Sequence, residues 1–204
     1  LRLSVTDRCD LACVYCMPPA GEAEHGLRQD LLSFEEAARL VDVMARMGIR
    51  RVRFTGGEPL VRRDVVDLVA LVRRTTPVKK LAMTTNATRL AELARPLRDA
   101  GLTGVNVSVD SLDPEAFHRI TRGGDLAKVL EGIRAALDVG LEVKINTVLL
   151  RGETDDEAER LVRWAFDLGV TPRFIELMPL GEGANLPTTM RVPASEVIER
   201  LGSL

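Results

Sequence analysis

Apolar positions along this chain change period again and again. Short runs in which they alternate with polar residues give way to longer stretches in which they recur every three or four positions. The first pattern buries one side of a strand and the second buries one stripe of a helix. Arg2 to Val5 reads as a strand. From Ser33 the period lengthens: Ser33-Phe-Glu-Glu has the form of a capping box closed by Glu36, and Leu40, Val41, Met44 and Met47 follow at helical spacing until Gly48. Arg51 to Thr55 alternates as a second strand and ends in the turn Gly56-Gly57-Glu58-Pro59, and Asp64 to Arg74 is a helix with Val65, Leu68, Val69 and Val72 on one face.

The cycle repeats downstream. Strands are expected at Lys80 to Thr85, Gly104 to Val109, Glu142 to Leu149 and Thr171 to Leu177. Helices are expected at Arg89 to Ala100, from Pro114, at Leu126 to Val139 and at Asp155 to Leu168, with a short one near Ala194 after a loop rich in Gly and Pro. Six strands alternating with helices predict a parallel sheet with right-handed crossovers. A doubly wound sheet and a barrel share that alternation. The unusual residues decide between them, because Cys9, Gly56 to Pro59, Asn86, Ser108 to Ser111 and Met178 all fall at C-terminal strand ends, the edge where α/β barrels build their sites. The expected class is α/β, an incomplete (β/α)6 TIM-like barrel over residues 1–178, with residues 179–204 as a loop and short helix leading into a further C-terminal region.

Composition narrows the function classes. The chain has 204 residues, 46% hydrophobic and 28% charged, enough for a sizeable core. A net charge of −2 and a pI near 5.8 give no basic field for nucleic acid or an acidic membrane. With one Trp, one Tyr and five Phe there is no aromatic and basic surface for stacking bases. No apolar run approaches the length of a membrane span. The expectation is a cytoplasmic protein with no nucleic-acid or membrane partner; oligomeric state is open, a homodimer included.

All the cysteines lie in Cys9-Asp-Leu-Ala-Cys13-Val-Tyr-Cys16, directly after the first strand. Three thiols this close can converge on one metal centre. A cubane iron–sulfur cluster usually takes four thiolates, so three ligands leave one iron open to a cofactor or substrate. A disulfide plus one thiol, a structural zinc with His25 as fourth ligand, and plain buried thiols are the alternatives. An odd count in a chain without a secretory leader speaks against the first, and the spacing is not a common zinc pattern.

The cysteine spacing, with Tyr15 just before the last thiol, resembles the signature of the radical S-adenosylmethionine (SAM) superfamily, in which SAM chelates the open iron of a [4Fe-4S] cluster. Gly56-Gly57-Glu58-Pro59 is similar to the motif that binds the SAM amino group there. Paired glycines also suit a close backbone approach or positive φ. Within the superfamily the chain resembles the GTP 3′,8-cyclase family of molybdenum cofactor biosynthesis. That likeness is carried by Leu1-Arg-Leu-Ser-Val-Thr-Asp-Arg-Cys9, Tyr15-Cys-Met-Pro18, Arg53-Phe-Thr-Gly-Gly-Glu-Pro-Leu-Val-Arg62, Thr84-Thr-Asn86, Val105-Asn-Val-Ser-Val-Asp110, Val143-Lys-Ile-Asn146 and Arg173-Phe-Ile-Glu-Leu-Met-Pro179.

The resemblance implies that Cys9, Cys13 and Cys16 hold the cluster, that Tyr15, Gly57, Glu58, Ser108 and Met178 bind SAM, and that Arg2, Arg53, Thr84 and Lys144 bind GTP. Three cations on separate barrel strands would be costly without a polyanion to neutralise them. It further implies reductive cleavage of SAM with an electron from an external donor, hydrogen abstraction from C3′ of GTP by the 5′-deoxyadenosyl radical, and attack of that carbon on C8 of guanine. No side chain need act as a general base. The chain departs from the family at Ala12, where relatives often carry a basic residue, and in having no cysteine after Cys16. Family members hold a second [4Fe-4S] cluster on three further cysteines in a C-terminal region, so the expectation is either part of a longer protein, which the abrupt ends favour, or a single-cluster protein that cannot cyclise GTP in the family's way. Another radical SAM enzyme, such as a peptide-modifying one, and a noncatalytic iron–sulfur or nucleotide-binding module are the competing readings.

Overall fold

A computed structural model describes residues 1–19, 21–23, 25–27 and 30–202. Strands and helices alternate as β1 (Arg2–Ser4), α1 (Phe34–Arg46), β2 (Arg51–Thr55), α2 (Val65–Thr75), β3 (Lys80–Thr85), α3 (Leu90–Asp99), β4 (Gly104–Ser108), α4 (Pro114–Thr121), α5 (Leu126–Asp138), β5 (Glu142–Thr147), α6 (Ala158–Asp167), β6 (Thr171–Phe174), α7 (Glu182–Asn185) and α8 (Ala194–Leu201). The six strands form one sheet in chain order, and the registered pairs run parallel. The chain divides into two compact units, one of Leu1–Asp10, Glu24–Val107 and Lys128–Val143, the other of Leu11–Ala23, Ser108–Ala127 and Lys144–Leu204.

In the first unit the period-two alternation sets the two faces of β1 to β4. Leu3, Val52, Phe54, Leu81, Met83, Val105 and Val107 are buried on one face. The other face carries Arg2, Ser4, Arg53, Thr55, Ala82, Thr84 and Asn106, in the register Arg2↔Arg53, Arg53↔Ala82 and Thr84↔Asn106. Helices bury matching stripes: Ala37, Ala38, Val41 and Ala45 of α1, Val65, Leu68, Val69 and Val72 of α2, Leu90, Ala94 and Leu97 of α3. The stripe of α1 leans on small alanines more than on the large residues that periodicity picks out. Met47 lies just past the last helical residue and is 75% exposed.

In the second unit Ile120, Leu150 and Leu177 form a small core with Val14, Tyr15, Val148, Leu186 and Met190 packed on it. Here β5 pairs with β6 in the register Lys144↔Thr171 and Asn146↔Arg173. Both strands are shorter than their apolar runs predict. The Val148 amide turns to the Asp110 carboxylate at 2.8 Å, which takes it out of the ladder just after β5. Leu149, Leu150 and Leu177 continue the apolar pattern because they are buried, Leu150 and Leu177 against Ile120 of α4. Among the described residues no helix is long and apolar enough to cross a membrane.

The capping box of α1 is formed as the sequence predicts: Glu36 N donates to Ser33 Oγ at 3.1 Å and Ser33 N to Glu36 Oε2 at 2.8 Å. Ser33→Ala is expected to destabilise the protein by about 1 kcal/mol. Urea unfolding of the two proteins measures it, and an unchanged midpoint would mean the box contributes nothing.

Candidate functional site

The turn after β2 lies against the segment just before the cysteine run. Gly57 N donates to Thr6 O and Glu58 N to Arg8 O, both at 2.8 Å. A Cβ on Gly56, whose φ is +151°, would stand 2.2 Å from Thr6 O, and one on Gly57 would stand 2.3 Å from Arg8 O. The close approach that paired glycines allow is made to the chain's own backbone.

Glu58 lies beneath this turn, 1% exposed. Its carboxylate accepts from Leu60 N at 2.9 Å, Thr85 Oγ1 at 2.8 Å and Asn86 N at 2.6 Å. It therefore ties the turn after β2 to the end of β3. Burial pushes the Glu58 carboxyl up to about 7 from an ordinary 4.5, against the three hydrogen bonds that pull it down.

Asn86 continues the connection. Its side-chain Nδ2 donates to Asp10 Oδ1 at 2.7 Å and approaches Cys9 Sγ at 3.8 Å, while Thr88 Oγ1 donates to Asp10 Oδ2 at 2.6 Å. Cys9 is half-buried.

The rest of the cysteine loop belongs to the second unit, where the segment from Asp110 to Arg122 braces it. Val14 N donates to Ile120 O at 2.9 Å and Ala12 N to Thr121 O at 3.3 Å. Arg122, left-handed at φ +53°, caps α4 and sends Nη1 to Ala12 O at 3.2 Å and Met17 O at 2.8 Å. Between Cys13 and Cys16, the Tyr15 hydroxyl donates to Asp110 Oδ2 at 2.5 Å. Burial pushes the Asp110 carboxyl up to about 6, with the bonds from Tyr15 and Val148 N opposing it, and burial followed by the Asp110 charge drives the Tyr15 phenol well above its usual range.

The backbone carbonyls of Met178 and Tyr15 both lie against Gly183. Gly183 packs so closely that an added Cβ would meet Met178 O at 2.5 Å and Tyr15 O at 3.3 Å. The Met178 side chain is 60% exposed. Ser108 ends β4 half-buried, and Lys144 is half-buried on β5.

On the polar face of the first unit, Arg2 is exposed, Arg53 and Thr84 are half-buried, and Asn106 is 3% exposed. With its amide oxygen turned to Arg53, Asn106 accepts from Nε at 3.1 Å, Nη1 at 3.1 Å and Nη2 at 3.2 Å. This buried acceptor fixes the guanidinium. Asn106, Asp110 and Arg122 were not predicted as site residues, although Asn106 and Asp110 lie in the stretch Val105 to Asp110 that carries part of the family likeness. A pocket of about 680 Å³ in the same unit is lined by Arg8, Glu35, Glu36, Arg62 and Arg63 among others, and by none of the predicted site residues.

No disulfide joins Cys9, Cys13 or Cys16. Among the described residues no group of three or more His, Cys, Asp or Glu is arranged to hold a metal ion, so the cluster assignment rests on spacing and donor chemistry. Three thiols in one loop suit an iron–sulfur cluster. His25, the fourth ligand a zinc site would require, turns Nδ1 to Asp7 at 3.7 Å.

The Radical SAM superfamily pattern matches residues 3–165, and the chain belongs to that superfamily, whose members use a 4Fe-4S cluster and SAM. Over 206 residues it is 48% identical to a GTP 3′,8-cyclase of Rhodopseudomonas palustris (strain TIE-1), covering 100% of this chain and 59% of that protein. A GTP 3′,8-cyclase of Petrotoga mobilis is 44% identical over 207 residues, covering 99% of this chain and 64% of the relative. The chain thus spans about three fifths of the length of the curated relatives it matches. The crystal structure of Streptococcus suis SuiB bound to S-adenosylmethionine aligns with a TM-score of 0.70 at 20% identity, over 85% of this chain and 39% of that one. That likeness carries the fold, α/β with the incomplete (β/α)6 barrel of the radical SAM type, as the strand ends led us to expect.

Two outcomes test the turn. Gly57→Ala is expected to cost about 1–3 kcal/mol in urea unfolding, because its Cβ has only backbone to push against. Glu58 gives a pH signature. Its folded-state pKa is raised, so its stabilisation is complete below about 4.5 and is lost as pH rises through about 7. Relative to Glu58→Gln, which does not titrate, the wild type should lose up to about 3 kcal/mol of unfolding free energy between pH 4.5 and about pH 8. Denaturation of both proteins at matched pH measures the difference, and parallel profiles would place the proton elsewhere.

Proposed function

We propose that this chain is the SAM- and GTP-binding part of a GTP 3′,8-cyclase, a radical SAM lyase of molybdenum cofactor biosynthesis. The reading is carried by one observation, the 48% and 44% identity along essentially the whole chain to proteins of that name. Cys9, Cys13 and Cys16 would hold a [4Fe-4S] cluster as thiolates, and an external one-electron donor would reduce it. When bound, the cluster and SAM supply the electron and the hydrogen-abstracting group.

The chain's own residues bind, orient and exclude water. Tyr15, held at its hydroxyl by Asp110, fixes the loop between two ligands and offers its backbone, with that of Met178, to SAM. Gly57 presents the turn to the SAM amino group. Glu58 supports that turn from beneath, with its carboxylate taken by three donors. Ser108 supplies a hydroxyl for the ribose. Arg2, Arg53 and Lys144 neutralise the triphosphate, Thr84 hydrogen-bonds to it, and Asn106 aims Arg53. A second cluster contacting guanine, and residues 179–204 as the lead into its region, belong to the same proposal. So does a cytoplasmic location, which suits thiols outside any disulfide.

Anaerobic iron and sulfide reconstitution followed by dithionite, SAM and GTP tests the reading, with mass spectrometry for 5′-deoxyadenosine. Deoxyadenosine is expected from the wild type and not from Cys13→Ser. Arg53→Ala should weaken GTP binding by about 10- to 100-fold, the effect of losing a charged hydrogen-bond donor. A folded wild type that takes up no iron and cleaves no SAM would sink the radical SAM chemistry, and GTP affinity unchanged in Arg53→Ala would sink the substrate assignment.

A further inference from the structure

The side chain of Asn86 is fixed at every polar atom. Its Oδ1 accepts from Thr88 N at 3.1 Å, so turning the amide over would set its nitrogen against that donor and its oxygen against the Asp10 carboxylate. One N–H of Nδ2 is spent on Asp10 at 2.7 Å, and Nδ2 reaches the Cys9 sulfur at 3.8 Å. Its backbone N–H is held by Glu58 at 2.6 Å. The next residue, Ala87, is buried and left-handed at φ +64°, a conformation unfavourable for an alanine that is kept here by the packing around it. The chain thus holds a neutral N–H donor against one of the three thiols.

We propose that Asn86 is a positioning residue that raises the reduction potential of the cluster bound through Cys9, by donating a side-chain amide hydrogen bond to the Cys9 sulfur. The inference rests on Cys9 being a cluster ligand, as in the proposed function. Reduction adds one electron to a centre whose charge extends onto its thiolate sulfurs. A donor at sulfur stabilises the more negative state, and its removal makes the centre harder to reduce.

The test is an EPR-monitored redox titration of reconstituted wild type and three variants of the full chain, Asn86→Ala, Asn86→Asp and Thr88→Val. Thr88→Val removes one of the two donors to Asp10 and leaves the amide–sulfur contact, so it reports the purely structural role of the clamp. A midpoint potential more negative in Asn86→Ala, more negative again in Asn86→Asp and unchanged in Thr88→Val supports the proposal. Equal shifts in Asn86→Ala and Thr88→Val, or no shift in Asn86→Ala at full cluster content, overturn it. If Asn86→Ala retains no cluster, pulsed EPR of reduced wild type grown on ¹⁵N-asparagine decides: a weak ¹⁵N coupling supports the contact and its absence overturns it. A wild type that assembles no cluster overturns the cluster assignment itself, and this inference with it.

Discussion

A carboxylate removed from water needs hydrogen-bond donors brought to it, and much of the first unit is arranged by meeting that need at Glu58. The donors come from its own turn, through Leu60, and from the end of β3, through Thr85 and Asn86. The glycines before it press the same turn onto Thr6 and Arg8, at the exit of β1. Three strand exits are therefore fixed to one another by contacts that allow little adjustment. Asn86 passes the constraint on, because the residue that donates its backbone to Glu58 also holds Asp10 with its side chain.

The polar sheet face shows the same economy. Alternation along β1 to β4 sends one set of residues to the helices, and the other set carries Arg2, Arg53, Thr84 and Asn106. Asn106 is as buried as the valines beside it. It is tolerated there because the Arg53 guanidinium faces its amide oxygen.

How much of this was legible in the sequence differs by level. The alternating runs of β1 to β4, the capping box at Ser33 and the helix stop at Gly48 were readable because each depends on near neighbours. The ends of β5 and β6 were not, since buried loop residues such as Leu150 and Leu177 extend an apolar run past the last ladder bond. The four-residue helix Glu182–Asn185 is too short to show a period. In the candidate site, Cys9, Gly57 and Arg53 stood out by motif, whereas the roles of Asn106, Arg122 and the Glu58 carboxylate depend on partners far away in sequence, and no local pattern reports those.

The brace on the cysteine loop has a consequence for how the protein is made. The cysteine loop is made well before its partners: the carbonyls of Ala12 and Met17 are bonded by Arg122, 110 and 105 residues further on, and Tyr15 is bonded by Asp110, 95 residues on. Closing loops of that length is slow compared with forming a helix. Until Arg122 has been synthesised, Cys13 and Cys16 sit on a segment without these long-range contacts, so the loop takes its shape only after the segment from Asp110 to Arg122 has followed it.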